Sequence, residues 1–227
     1  MAIICRSQGL LFIMVPRTGC TAIGDLLCKE LGGKFLPEDD ILDARGVALL
    51  RYKHNTLSQL FEHGLLTAQE KARLFTFTCV RNPFDSLVSL YVKLSSTYQS
   101  LLEDNTAFVH RDPGYIDEMN WCRTHTFDEW LERRYAPRRV LRVFKRRRRA
   151  SMFSQYIDGA DYVMRFERLQ DDFDEVLRRV GLPRLDIPVF NATPDRVPDY
   201  RVYYSDRSRR LVESVFRADL TRDGYRF

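Results

Sequence analysis

No run of about 18 apolar residues occurs in this 227-residue chain, so a transmembrane helix is not expected. The apolar character of Ile3 to Val15 is interrupted by Arg6, Ser7 and Gln8, and no charged leader or cleavage site accompanies it. With Met1 as the natural start, the expected location is cytoplasmic. The five cysteines (Cys5, Cys20, Cys28, Cys79 and Cys122) are odd in number and scattered, with no CxxC pair and no Cys/His grouping at metal-ligand spacing. Neither a disulfide framework nor structural zinc is expected, and reduced thiols acting as small buried hydrophobes fit the pattern. The P-loop GxxxxGK[ST] is missing too, which counts against a nucleotide kinase. Internal repeats and clean linkers are also absent, so residues 1–227 read as one domain.

Charge of one sign is scarce everywhere except in one place. The run RRVLRVFKRRRR, Arg138 to Arg149, holds eight basic residues and no acidic one; without them the net charge would be −3 rather than +5. Such a patch attracts something anionic: nucleic acid, a sulfated or phosphorylated substrate, or a membrane surface. A solvated helix face is the simpler reading of the same run.

Hydrophobic patterning predicts an alternation of strands and helices. Leu10–Val15 (LLFIMV), Phe75–Val80 (FTFTCV) and Asp161–Phe166 (DYVMRF) read as strands, the first apolar on both faces as in a parallel sheet. Helices are expected over Thr21–Leu31, Leu57–Leu65, Thr67–Arg73, the segment opened by Pro83, Phe127–Arg134, Leu169–Val180 and Arg207–Phe216. Residues 95–126 lack clear periodicity and read as a loop or acceptor-side lid with a short helix, in which Tyr98, Tyr115 and Trp121 are candidates for an acceptor pocket. The fold class is therefore α/β, a central parallel sheet flanked by helices.

Ligands bind at the carboxyl edge of such sheets, where a strand hands over to a helix N-terminus rich in unpaired N–H groups. Two such corners stand out. In PRTGCT, Pro16 to Thr21, Gly19 permits close backbone approach, Thr18 and Thr21 carry hydroxyls, and Arg17 carries charge. An ordinary strand-to-helix turn capped by threonine explains the same letters. In VRNPFDSLVSLY, Arg81 stands at a strand end, Pro83 suits the first helical turn, and Ser89 lies two turns on, off the apolar stripe. Together the two corners suit a ligand with two separated phosphates.

At these residues the chain resembles the sulfotransferase family, in the style of a short soluble bacterial-type member of its carbohydrate-sulfotransferase branch. PRTGCT is similar to the 5′-phosphosulfate loop written PKxGxT, and VRNPFDSLVSLY to the 3′-phosphate motif RxPxxxxxSxY. KHNTLSQL, DYVMRFERLQDDFDEVLRRVGL and the stretch from YYSDRS onward extend the likeness over most of the chain. The resemblance implies a P-loop-NTPase-like sulfotransferase fold. It also implies 3′-phosphoadenosine-5′-phosphosulfate (PAPS) as donor, its desulfated product PAP, and no metal. It assigns Arg17, Thr18, Gly19, Cys20 and Thr21 to the 5′-phosphosulfate and Arg81 and Ser89 to the 3′-phosphate. Residues 191–227 would close over the donor, with Arg196, Arg201 or a tyrosine in contact. Two departures stand out: the usual lysine is Arg17, and a hydroxyl position is Cys20.

The implied reaction moves a sulfuryl group to a hydroxyl of a carbohydrate or small-molecule acceptor, neutral or anionic, by in-line displacement. Arg17 is the cation expected at the leaving oxygen, and His54, in YKHNT, is the expected base. His63, His110, His125 and Glu167 are weaker candidates. The alternatives are a nucleic-acid or polyanion binder using Arg138–Arg149, without a recognised nucleic-acid motif, and a non-catalytic PAP-binding relative. Nothing in the sequence specifies the acceptor or an oligomeric state.

Overall fold

Strand β2 (Leu10–Ile13) lies fully buried at the middle of a five-stranded sheet. The computed structural model describes residues 2–46, 48–136, 151–188 and 196–227. The sheet order is β3-β1-β2-β6-β7, with β1 at Ala2–Cys5, β3 at Lys34–Leu36, β6 at Phe75–Val80 and β7 at Tyr162–Arg165. Strands β2, β6 and β7 run parallel, in the register Phe12↔Phe77↔Tyr162. Strands β1 and β3 add an antiparallel half. The sheet is thus mixed, and the three expected strands form its parallel half. The polar RSQ that interrupts the apolar N-terminal stretch is a 3₁₀ turn, Arg6–Gln8, closed by Gly9 at φ 65°, and it folds β1 back onto β2.

The described residues form two compact units, each with its own core. The first comprises Met1–Arg81 and Phe153–Phe190. Its sheet packs helix α1 (Cys20–Leu31) through Ile23 and Leu27, and a later amphipathic helix, Leu169–Arg179, through Phe173, Val176 and Leu177. Phe12 and Phe77 stack at 4.8 Å between ring centroids, and Phe77 meets Phe173 at 6.3 Å. A small hairpin, β4 (Ile41–Leu42) with β5 (Ala48–Leu50), precedes α2 (Leu57–Glu62) and α3 (Ala68–Lys71). Both short helices open on threonine capping boxes, Thr56 with Gln59 and Thr67 with Glu70.

The second unit comprises Asn82–Met152 and Asn191–Phe227. Helix α4 (Pro83–Val92) is capped by Asn82 and buries Phe84, Leu87 and Val88 against Trp130, Leu131, Val212 and Phe216. The segment 95–126, expected as a loop or lid with a short helix, is mostly helical. A π-helical turn at Lys93–Thr97 leads through two 3₁₀ turns to α5 (Pro113–Thr124), which Asp112 caps. Only Met119 and Cys122 of α5 are buried, so its apolar period is too sparse to register in sequence. The Asp112-Pro113 start was the available signal. Helices α6 (Phe127–Tyr135), α7 (Ser154–Ile157, in the first unit), α8 (Leu169–Arg179), α9 (Asp206–Val215) and α10 (Arg217–Asp223) complete the set. The arginine run 138–149 and residues 191–195 lie outside the described residues. No helix among the described residues is long and apolar enough to cross a membrane.

The ring of Phe77 ties β2 to α8 through Phe12 and Phe173. Phe77→Ala is expected to cost about 3–5 kcal/mol, the range for a buried aromatic truncation, read as a lower urea midpoint.

Candidate active site

The site begins where β2 runs out. From the last residue of the strand onward, the carbonyl groups of Ile13, Met14 and Val15 lead towards the turn, and each receives a side-chain donor. Thr78 Oγ1 donates to Ile13 O at 2.9 Å, His54 Nδ1 to Met14 O at 3.2 Å, and Thr18 Oγ1 to Val15 O at 2.9 Å. Buried carbonyls must be paired, and here side chains replace the ladder that the sheet no longer supplies. Thr18 is fully buried, and its hydroxyl hydrogen points into the loop. The side chain thus helps to build the turn, its proton taken by a carbonyl three residues back.

Left-handed backbone then turns the chain into α1. Arg17 stands at φ 68° and Gly19, the N-cap of α1, at φ 72°. Glycine takes this conformation without penalty; arginine does not, and needs external support. Arg81 provides it. Its guanidinium is buried, donates from Nη1 to Arg17 O at 2.9 Å, and lies 3.9 Å from the ring centroid of Phe166. Phe166 also underlies the turn: a Cβ at residue 19 would sit 3.3 Å from its Cε2 and 2.9 Å from Leu169 Cδ2. Phe166 went unnoticed in the sequence, although an aromatic residue just past a strand end was the signal.

Because residue 19 is glycine, no side chain caps α1. A twelve-residue helix therefore presents its positive end through a turn that has no bulk at residue 19, an arrangement suited to an anion. Thr21 is exposed in the first turn, in the position expected of a phosphate donor. Cys20 is buried in the core, and burial raises its thiol above the ordinary value. It packs as an apolar residue, so it adds no side-chain donor of note to the turn.

His54 is half-buried and sits at φ 61°, with Arg17 one of the two non-glycine residues at positive φ among those described. A carbonyl can only accept, so the Met14 bond puts the proton on Nδ1 and leaves Nε2 with its lone pair. Burial, reinforced by the charges of Arg17 and Lys53, pushes the imidazole down to about 4. The ring is neutral at pH 7 and able to take a proton.

Ser89 is 5% exposed, because α4 is buried on most of its surface; it is not a solvated helix residue. Arg196 forms a close ion pair with Asp85 in the first turn of α4, where both side chains are largely buried. Arg201 is exposed, pairs with Asp199 at 3.3 Å and lies over Tyr200. Among the weaker base candidates, His63 and Glu167 are exposed. His125 stacks on Trp121 at 3.5 Å and bonds its carbonyl, which gives it a packing role. Tyr98, Tyr115 and Trp121 pack at the edge of the second unit's core.

The family model described as sulfotransferase family matches residues 1–223. The chain belongs to the sulfotransferase family. Sulfuryl transfer is the reaction class that goes with this membership. No curated protein and no solved structure matches the chain.

Two tests follow from this sulfotransferase's geometry. Gly19→Ala forces a Cβ into Leu169 and Phe166 at left-handed φ. It should lower stability by about 1–2 kcal/mol or more, and calorimetry of the variant measures this. The second test is pH. The ordinary histidine value is 6.5 and that of His54 in the fold about 4, so the unfolded chain binds this proton more readily. Its contribution to stability is complete above about pH 6.5 and is lost as pH falls towards 4. Urea unfolding at pH 7 and pH 4.5 should show a smaller acid loss in His54→Asn, which keeps a residue tolerant of positive φ.

Proposed function

We propose that this sulfotransferase takes its sulfuryl group from PAPS and passes it to a hydroxyl of a carbohydrate or small-molecule acceptor. The observation that carries the reading is the glycine-opened N-terminus of α1, shaped by two left-handed residues and braced by a buried arginine. Anion binding there needs backbone N–H groups and a nearby cation, and the turn supplies both. Arg17 is the cation for the leaving phosphate oxygen, with Gly19, Cys20 and Thr21 contributing through backbone and hydroxyl. The motif adds Arg81 and Ser89 for the 3′-phosphate, and Arg196 and Arg201 for the C-terminal segment. Arg81 serves the loop in any case, by holding the Arg17 carbonyl.

His54 is the proposed base. Its Nε2 would accept the acceptor's hydroxyl proton as the new O–S bond forms and the bond from sulfur to the phosphate oxygen breaks. A value of about 4 makes it a weak base. An anionic donor beside it would favour the imidazolium and raise that value towards working pH. Arg17 in place of lysine keeps the charge at the leaving oxygen but offers a planar fork. The arginine run suits an anionic acceptor. It would equally suit a polyanion-binding role, which accounts neither for the turn nor for the family.

A thermal-shift titration with PAP, against AMP and ATP, tests the donor. At about 100 times Kd, PAP should add about 2.7 kcal/mol and raise Tm by roughly 5–10 °C. AMP should do much less. A folded protein indifferent to PAP would overturn the assignment. Arg17→Ala should weaken PAP binding and turnover together, by tenfold or more, whereas His54→Asn should retain PAP binding and lose roughly 10²-fold or more in kcat. PAP binding without any sulfuryl transfer to a broad acceptor panel would identify a non-catalytic relative instead.

A further inference from the structure

Asn55 is 2% exposed, and its carboxamide nitrogen has no hydrogen-bond partner among the described residues. Buried amide donors are almost always paired, so one left open in a native site calls for a reason. The neighbours of Asn55 are both committed. His54 is anchored through Nδ1 to Met14 O, and Thr56 caps α2 through its hydroxyl while its own N–H donates to Gln59 Oε1 at 2.9 Å. The segment is therefore pinned on both sides of Asn55, beside the carboxyl end of β2 from which the Pro16–Gly19 turn departs. A side chain so held, with an open donor, is preorganised for an acceptor atom that arrives with a ligand.

We propose that Asn55 is a further binding residue of the sulfuryl-transfer reaction, its amide donating to a sulfuryl oxygen of the donor next to the proton acceptor His54. The inference rests on the PAPS reading above. In-line displacement puts the base and the leaving phosphate on opposite sides of the sulfur. The α1 N-terminus and Arg17 stand for the phosphate side, and His54 for the acceptor side. A residue adjacent in sequence to His54, with Cα atoms about 3.8 Å apart, belongs with the sulfuryl oxygens between them. A neutral amide also suits that group. The charge on the transferring SO₃ is spread over three oxygens in a loose transition state, and a fixed dipole stabilises it without holding the product as a full cation would.

Asn55→Leu, close in shape and without polar atoms, provides the test. Calorimetric titrations with PAP and with PAPS, in the absence of acceptor, measure the two affinities separately. Relative to the unaltered protein, the variant should bind PAP within about twofold and lose about tenfold in PAPS affinity. Its ligand-free Tm should rise by about 2–4 °C, because the open donor is gone. Unchanged PAPS affinity overturns the proposal, and so does an equal loss for PAP and PAPS, which would make the residue structural. A rise in acceptor KM with PAPS affinity intact overturns it as well, in favour of an acceptor contact. Should Asn55→Leu fail to fold, Asn55→Asp keeps the shape and removes the donor, and the same PAPS-to-PAP ratio decides. Failure of the unaltered protein to bind either nucleotide would refute the PAPS reading itself, a result distinct from any of these.

Discussion

The buried guanidinium of Arg81 is the contact on which the candidate site depends. It holds the carbonyl of Arg17, a residue whose left-handed backbone would otherwise relax, and it rests on the ring of Phe166. The same ring closes the space below Gly19. One cation and one aromatic side chain therefore shape the turn from two directions. A neutral donor could make the hydrogen bond, but a charged donor makes it roughly twice as strong, and the flat guanidinium face packs on an aromatic ring as an ammonium does not.

This brace acts on a frayed strand end that other side chains also hold. Ile13, Met14 and Val15 have carbonyls satisfied by Thr78, His54 and Thr18 in turn. The consequence is that the proposed base and the phosphate turn share one foundation. His54 is anchored two residues before Pro16, on the same backbone that swings into Arg17. A shift of β2 would move both, so their separation is set by a rigid strand rather than by two independent loops. Both residues also carry unusual backbone, at φ 68° for Arg17 and 61° for His54. Such strain costs on the order of 1–3 kcal/mol per residue and persists where surrounding structure enforces it, which is the common condition of reactive sites.

Much of the framework was legible because it is local. FTFTCV spans β6 to the residue, and the helix after PRTGCT starts within one residue of its expected place. The antiparallel strands β1 and β3 were not seen, since Ala2–Cys5 and Lys34–Leu36 are short and acquire meaning only by pairing, β1 with β2 and β3 with β1. Gly9 after RSQ did carry the hairpin signal. In the site, residue types were readable but partners were not. Thr18 has the letter of a phosphate ligand and spends its proton on a carbonyl three residues back. Arg196 looks like a nucleotide contact and meets Asp85, 111 positions earlier in the chain. Pattern identifies what a residue can donate; only the fold decides to whom.

That distinction bears on the two departures from the family motif. At Cys20 the exchange of hydroxyl for thiol looks like a loss of ligand, yet the side chain faces the core, where burial raises its pKa and apolar packing suits it. A hydroxyl there would add a polar group to be satisfied, so sulfur is the better fit for the position. At Arg17 the constraint is different. Its carbonyl is held by Arg81, so in the proposed reaction the guanidinium would reach the leaving oxygen from a set origin. On the proposed reading, the longer, planar side chain would then govern where a donor sits. Tolerance at Cys20 and constraint at Arg17 follow from the same turn, one residue facing into the core and the other tied through its backbone.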